Sequence, residues 1–167
     1  MKFVRDMHGV RLDVYIKSDD AWAEIEMQTG SSGLALGKRS RYYQSNMDLD
    51  CLETGQGYET LKKSYVIFLC TFDYFEKDEA VYYFQSWDYE KGLKLDDASY
   101  KIVLNTKCSQ DKIPEKLKPL FAYINEAKNS GGSELVDKID ARVQKFSKDE
   151  WRRKQMTFEY CSEQPKN

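Results

Sequence analysis

The sequence predicts an α/β protein in which a mixed β-sheet is flanked by helices, and three features of the chain predict it. Two alternating segments between Gly9 and Gln28 have the spacing of an antiparallel hairpin. A continuous apolar run over 64–72 has the composition of a central strand that is covered on both faces. After Pro114 the apolar residues recur at helical spacing instead. A chain of 167 residues is also long enough to bury a core of its own.

The hairpin has an apolar and a polar face, because apolar residues occupy every second position of both strands. A four-residue turn over 18–21 pairs Lys17 with Trp22 and therefore Asp13 with Glu26. The polar face then collects Asp13, Glu24, Glu26 and Gln28. Two carboxylates on one face repel each other unless a hard divalent cation such as Mg²⁺ lies between them. The alternative is an ordinary solvated hairpin face, and the pattern alone leaves both open.

A helix is predicted over 38–53, and Thr54 and Gly55 end it. Its predicted core stripe is Tyr42, Ser45, Leu49 and Leu52. Its first residues include the cations Lys38, Arg39 and Arg41. Cations at a helix N-terminus oppose the helix dipole, so an external anion such as DNA phosphate would compensate them. A solubilising basic patch is the alternative.

The rest of the chain supplies further strands and then helices. Strands are predicted over 64–72, 80–87 and 100–106, which with the hairpin make a sheet of about five strands. Helices are predicted over 114–128, 133–146 and 147–160, with a break over 129–132. The side chains expected to face the core from the first two of these helices are Leu117, Leu120, Phe121, Ile124, Leu135, Ile139, Val143 and Phe146.

Charge and composition exclude several classes of protein. The formal net charge of −2 gives no global attraction to nucleic acid, so a polyanion site must be a local patch. The four cysteines are far apart, which argues against a zinc site and favours a reducing compartment. The longest apolar run, 65–72, is too short to span a membrane. We therefore expect a soluble cytoplasmic protein.

Four segments taken together resemble one nuclease family. They are GVRLDVYI, EIEMQ, KRSRYYQSNMDLDCLETG and LKKSYVIFLCTFDYF, in this order between about residues 7 and 106. They resemble the PD-(D/E)XK nuclease family transposases, also called the recombination-promoting nuclease (Rpn) family. The resemblance implies a restriction-endonuclease-like core with C-terminal helices, acting as a Mg²⁺- or Mn²⁺-dependent DNA endonuclease in DNA recombination.

The resemblance also implies residue roles. Asp13 is similar to the metal-binding Asp of the second core strand, and Glu26 to the acid of the E-x-K half-motif. Gln28 occupies the Lys position, where it offers a neutral hydrogen bond in place of a positive charge, so a weaker or more metal-reliant enzyme is expected. The Met27 carbonyl is the expected third metal ligand. The resemblance assigns Arg41, Tyr43 and Gln44 to the nucleic-acid side of the site. Together with Lys38 and Arg39 of the basic helix start, they are the predicted nucleic-acid-binding residues.

We expect one nuclease-like domain over 1–167, with the sheet and first helix in 1–107 and a helical part in 108–167. Relatives carry an N-terminal region with a helix before the first strand, and we expect this chain to lack it. A sheet edge or face then needs cover, which predicts a homodimer. Two alternatives to an active endonuclease stay open: an inactive DNA-binding or self-associating relic, and an interaction domain unrelated to DNA.

Overall fold

The computed structural model describes residues 4–6, 9–11, 13–30, 35–126, 129, 131–141 and 144. The described strands are β1 (Val4–Asp6), β2 (Gly9–Arg11), β3 (Asp13–Lys17), β4 (Ala21–Gln28), β5 (Lys63–Cys70), β6 (Val81–Phe84), β7 (Trp87–Asp88), β8 (Leu93–Lys94) and β9 (Ser99–Asn105). The described helices are α1 (Leu36–Cys51), α2 (Lys118–Glu126) and a further helical stretch over 134–141. Single 3₁₀ turns lie at Tyr58–Thr60, Gln110–Lys112 and Glu115–Leu117.

Five strands form the central sheet in the order β3-β4-β5-β9-β6. β4, β5 and β9 run parallel, while β3 and β6 at the two edges run antiparallel to their neighbours. The predicted fold class, a mixed α/β sheet flanked by helices, is therefore confirmed, and β5 is the central strand as predicted. Several boundaries differ from the prediction. The segment predicted as the first hairpin strand contains β2, which pairs with β1, and β3, and β6 ends at Phe84 before Trp87 pairs with β8. The helix predicted from Pro114 begins at Lys118, after a 3₁₀ turn.

The β3–β4 hairpin has the predicted register. Lys17 pairs with Trp22 and Asp13 pairs with Glu26. The turn is fixed by Ser18, whose backbone N–H donates to the Ala21 carbonyl at 3.0 Å and whose hydroxyl accepts from the Ala21 N–H at 3.1 Å. A short polar side chain that bonds the turn backbone is what the Lys17-Ser18-Asp19-Asp20 break in the sequence favours.

Helices cover the sheet on both faces. α1 lies on one face over a core of Leu36, Met47, Val66, Phe68, Cys70 and Val103. α2 covers the other face and buries Phe121 against Leu69, as its helical spacing predicts. In the stretch after α2 the prediction was partly wrong, because Leu135 is 56% exposed while its neighbour Val136 is 2% exposed. The side chains of Val143 and Phe146, and the helix predicted over 147–160, lie outside the described residues.

The predicted core stripe of α1 was wrong. Tyr42 and Leu49 are 65% and 77% exposed, and the buried residues are Leu36, Ser40, Gln44 and Met47. The helix also begins two residues earlier than predicted, at Leu36. The physical reason is that the sheet face beneath α1 offers hydrogen-bond partners, so polar side chains of the helix can be buried there without losing their bonds.

In the part of the chain that the structure describes, every helix is too short or too polar to span a bilayer.

Candidate active site

Asp13 and Glu26, the two predicted metal-binding acids, occupy directly opposite positions in the β3–β4 hairpin. Directly opposite residues of a strand pair share one sheet face, so the backbone brings both acids to the face that α1 covers. On that face Glu26 is 5% exposed and Gln28 is 8% exposed. The alternative of an ordinary solvated hairpin face therefore does not hold for Glu26 and Gln28.

Successive residues of β4 direct their backbone hydrogen-bonding groups alternately towards β3 and towards β5. The Ala21 carbonyl accepts from Ser18 on the β3 side, and the Gln28 carbonyl accepts from Thr71 on the β5 side, both at 3.0 Å. Successive strand residues direct their peptide groups to opposite sides, so the Met27 carbonyl belongs to the β3 side. Met27 directly follows Glu26, which forms the last described pair of the β3–β4 hairpin with Asp13. The Met27 carbonyl therefore lies next to the acidic pair.

The same alternation fixes the type of the acidic pair. The peptide groups of Glu26 belong to the β5 side, so Asp13 and Glu26 form a non-hydrogen-bonded pair. This is the narrower of the two antiparallel pair types, with Cα atoms about 4.5 Å apart. Asp13, Glu26 and the Met27 carbonyl are thus neighbours at one end of the hairpin.

The guanidinium of Arg39, from the first turn of α1, contacts this end of the hairpin. Its Nη2 donates to Glu26 Oε1 and to the Tyr43 hydroxyl, the latter at 2.9 Å, and its Nη1 donates to Gln28 Oε1 at 2.8 Å. The guanidinium also lies 5.7 Å from the centre of the Tyr43 ring and 5.9 Å from that of Phe68. These contacts join α1 to three strand residues and hold the side chain in one place.

Arg39 stays cationic in these surroundings. Burial opposes its charge, but the hydrogen bond with Tyr43 and the attraction of the Glu26 carboxylate outweigh burial and raise the pKa of Arg39. One of the two interpretations of the sequence was that an external phosphate compensates the cations of this helix end. For Arg39 the structure provides an internal anion, Glu26.

Only one oxygen of Glu26 has a described partner. Oε1 is bonded by Arg39, whereas Oε2 is buried and has no hydrogen-bond partner among the described residues. A buried carboxylate oxygen without a partner is costly, and a bound cation would remove that cost. Two carboxylates and a backbone carbonyl are hard oxygen donors of the kind that Mg²⁺ and Mn²⁺ take. The residues at this place therefore fit a divalent cation.

No group of three or more His, Cys, Asp or Glu side chains that could hold a metal occurs among the described residues. Among those residues, the oxygen donors at this place are the acidic pair and the Met27 carbonyl.

The other predicted nucleic-acid-binding residues divide into two groups. Lys38 and Arg41 are exposed on the outer surface of α1. Gln44 is buried, and its amide donates to the side chains of Ser64 and Asp48 and accepts from Ser99 at 3.2 Å. Ser64 pairs with Trp22, four residues along β4 from Glu26, so Gln44 lies over the opposite end of the sheet face.

Sequence reasoning found Arg39 but missed its partners. The cluster of cations at the helix start assigned it to nucleic acid, whereas the structure brings it to Glu26 and Gln28. The available signal was the i,i+4 spacing of Arg39 and Tyr43, which puts both on one helix face. A cavity of 420 Å³ lies beside the first turn of α1, with Phe68 as part of its wall, and no sequence pattern predicted it.

A mixed sheet between helices, with paired acids in its first hairpin and a helix across them, defines a PD-(D/E)XK nuclease-like fold. The family model described as PD-(D/E)XK nuclease family transposase matches residues 4–107, which is more than half of the chain. The chain belongs to this family. Its membership indicates a nuclease-type function, and PD-(D/E)XK nucleases generally use divalent metals. Neither the search of curated proteins nor the search of solved structures found a match.

Proposed function

We propose that the chain is a divalent-metal-dependent DNA endonuclease that hydrolyses phosphodiester bonds at the end of the β3–β4 hairpin. The observation that carries the proposal is the hydrogen bonding of the two Glu26 carboxylate oxygens. One of its oxygens is bonded by Arg39, and the other is buried without a described partner beside the position of Asp13. Family membership, which covers this segment, supports the same reading.

Asp13, Glu26 and the Met27 carbonyl would hold Mg²⁺ or Mn²⁺. When bound, such a cation polarises the scissile phosphate and lowers the pKa of a water for in-line attack. Arg39 orients the Glu26 carboxylate by its bond to Oε1, which leaves Oε2 as the ligand atom. Outer contacts of this kind hold a metal ligand in one orientation and raise affinity for the metal.

DNA is the proposed substrate because of local charge. Lys38 and Arg41 are exposed on α1 within two residues of Arg39, and exposed cations of this kind contact the phosphate backbone. The net charge of −2 means that binding depends on this patch and falls steeply with salt. Homodimer formation and a cytoplasmic location stay predictions.

An inactive DNA-binding member of the family is the second candidate, and Gln28 is the observation that favours it. Its amide lies where the family motif has Lys, and it is buried against Arg39. Without a cation close to the phosphate, the charge that develops during hydrolysis has less compensation.

A plasmid-nicking assay separates the two candidates. We expect wild-type protein to nick supercoiled plasmid in Mg²⁺ or Mn²⁺ and to be inactive in EDTA. We expect Glu26→Gln to lower the rate at least about 100-fold, since outer partners of a metal site alone are worth about 10- to 100-fold. Glu24→Gln, the same change two residues earlier in β4, is the matched control and should stay within about twofold.

An unchanged rate in Glu26→Gln would assign the cleavage to a contaminant and overturn the proposal. Salt-sensitive binding of DNA with no nicking in either metal would establish the inactive DNA-binding candidate instead.

A further inference from the structure

We propose that Arg39 delivers from α1 the positive charge that a lysine at position 28 would otherwise bring to the scissile phosphate. This inference rests on the proposed endonuclease function and assigns a residue to it. Arg39 would then be a catalytic residue that contacts the phosphate, beyond the general nucleic-acid contact that the sequence indicated for it.

The first argument is position. Arg39 Nη1 lies 2.8 Å from Gln28 Oε1, so the guanidinium stands at the tip of the side chain that occupies the Lys position. Gln28 is 8% exposed and extends from the same sheet face as Glu26. A charge at this point is as close to the acidic pair as the end of a side chain at position 28 would be.

The second argument is hydrogen-bonding capacity. A guanidinium has five N–H groups, and the contacts with Glu26, Tyr43 and Gln28 use three of them. Two N–H groups have no partner among the described residues. The Arg39 side chain is 31% exposed, so a phosphate oxygen can reach it. The free donors are the Nε–H and one N–H of Nη1, and each can give a phosphate oxygen a charge-assisted hydrogen bond, which the neutral amide of Gln28 cannot.

The third argument is rigidity. The Tyr43 hydroxyl, one turn along α1, accepts from Arg39 at 2.9 Å, and the rings of Tyr43 and Phe68 lie against the guanidinium. A cation that is already held in place stabilises developing charge better than one that must be ordered during the reaction. The exposed neighbours Lys38 and Arg41 have no such enclosure, which separates a role in catalysis from a role in DNA attachment.

A charge relocation experiment tests the inference. We expect Arg39→Gln to lower kcat for nicking about 100-fold at saturating Mn²⁺, the size of effect found when one donor to a developing charge is removed. Adding Gln28→Lys to Arg39→Gln should recover at least about tenfold, because the charge returns to the same place from β4. Lys116→Gln removes one exposed positive charge from the α2 side of the sheet and should leave the rate within about twofold.

Mn²⁺ titration separates this role from a purely structural one. If Arg39 only holds Glu26, Arg39→Gln binds Mn²⁺ more weakly and regains the wild-type rate once the metal is saturating. That result, or a double variant no faster than Arg39→Gln, would overturn the inference while the endonuclease function stands. A wild-type protein that does not nick plasmid in either metal would remove the proposed function and this inference with it.

Discussion

The two faces of the central sheet are packed by different chemistry. α2 covers one face with apolar side chains and buries Phe121 to 1% exposure. α1 covers the other face and buries Ser40 and Gln44 among its contacts, with Arg39 beside them. An apolar face specifies its partner only by shape and area, whereas a polar face specifies it by individual hydrogen bonds. The catalytic proposal concerns the face that α1 covers, because there individual polar side chains have defined partners.

Within the polar face, Gln44 and Glu26 lie at opposite ends and differ in how far their polar atoms are paired. At one end Gln44 bonds the side chains of both Ser64 and Ser99 and uses its donor and acceptor groups. At the other end Glu26 keeps one oxygen without a described partner. Buried polar groups are normally paired, so an unpaired one indicates either strain or a ligand. We therefore interpret the Gln44 end as structural and the Glu26 end as functional.

The unpaired groups lie on one face. The buried side-chain polar atoms without a partner among the described residues belong to Tyr15, Glu26 and Asn105. By register all three residues lie on the face that α1 covers. Burial and the nearby Asp50 carboxylate raise the pKa of Tyr15 to about 12, so its hydroxyl stays neutral near pH 7. Of the three residues, Glu26 is the one that belongs to the acidic pair.

The largest effect is expected on the apolar face. Phe121→Ala should lower the free energy of unfolding by about 3–5 kcal/mol, because it removes a fully buried ring and leaves a cavity beneath α2. Urea unfolding followed by circular dichroism measures the change. Leu135→Ala, at a residue that is 56% exposed, should stay within about 0.5 kcal/mol. A loss below 1 kcal/mol for Phe121→Ala would show that α2 does not supply the core on this face.

A smaller effect is expected on the polar face. Gln44→Ala should cost about 1–3 kcal/mol, because the hydroxyls of Ser64 and Ser99 lose a buried partner. Asn46→Ala is the control, since this residue is exposed on the same helix. Urea midpoints of the two variants make the comparison. Equal stability of both would mean that the polar contacts under α1 contribute nothing measurable, and the contrast between the two faces would be lost.

The fold could be predicted where apolar periodicity decides it. The register that pairs Asp13 with Glu26 followed from alternation and a four-residue turn, and it is confirmed. The buried position of Phe121 followed from helical spacing, and it is also confirmed. In both cases the residues of the two faces differ in hydrophobicity, so the spacing of the apolar residues predicts which residues share a face.

Periodicity failed on α1 because residue type there does not indicate burial. Gln44 is buried and Leu49 is exposed, which reverses the order that hydrophobicity gives. What decides burial is a partner on a strand far along the chain, such as Ser64 or Ser99, and no local pattern contains it. The contact between Arg39 and Gln28 was missed for the same reason, since it joins two elements across the tertiary structure.

The smallest effect on stability is expected at Leu49, and a substitution there tests most directly which face of α1 is buried. It belonged to the predicted core stripe, but it is 77% exposed on the outer surface of α1. Leu49→Gln should therefore change the free energy of unfolding by no more than about 0.5 kcal/mol, because surface substitutions away from special contacts rarely do more. Met47→Gln, two residues earlier at 2% exposure, should lose several times as much, since it buries a polar group in the apolar part of the core. If urea unfolding gave a loss of about 2 kcal/mol or more for Leu49→Gln, the orientation of α1 would be wrong, and with it the contact of Arg39 with Glu26.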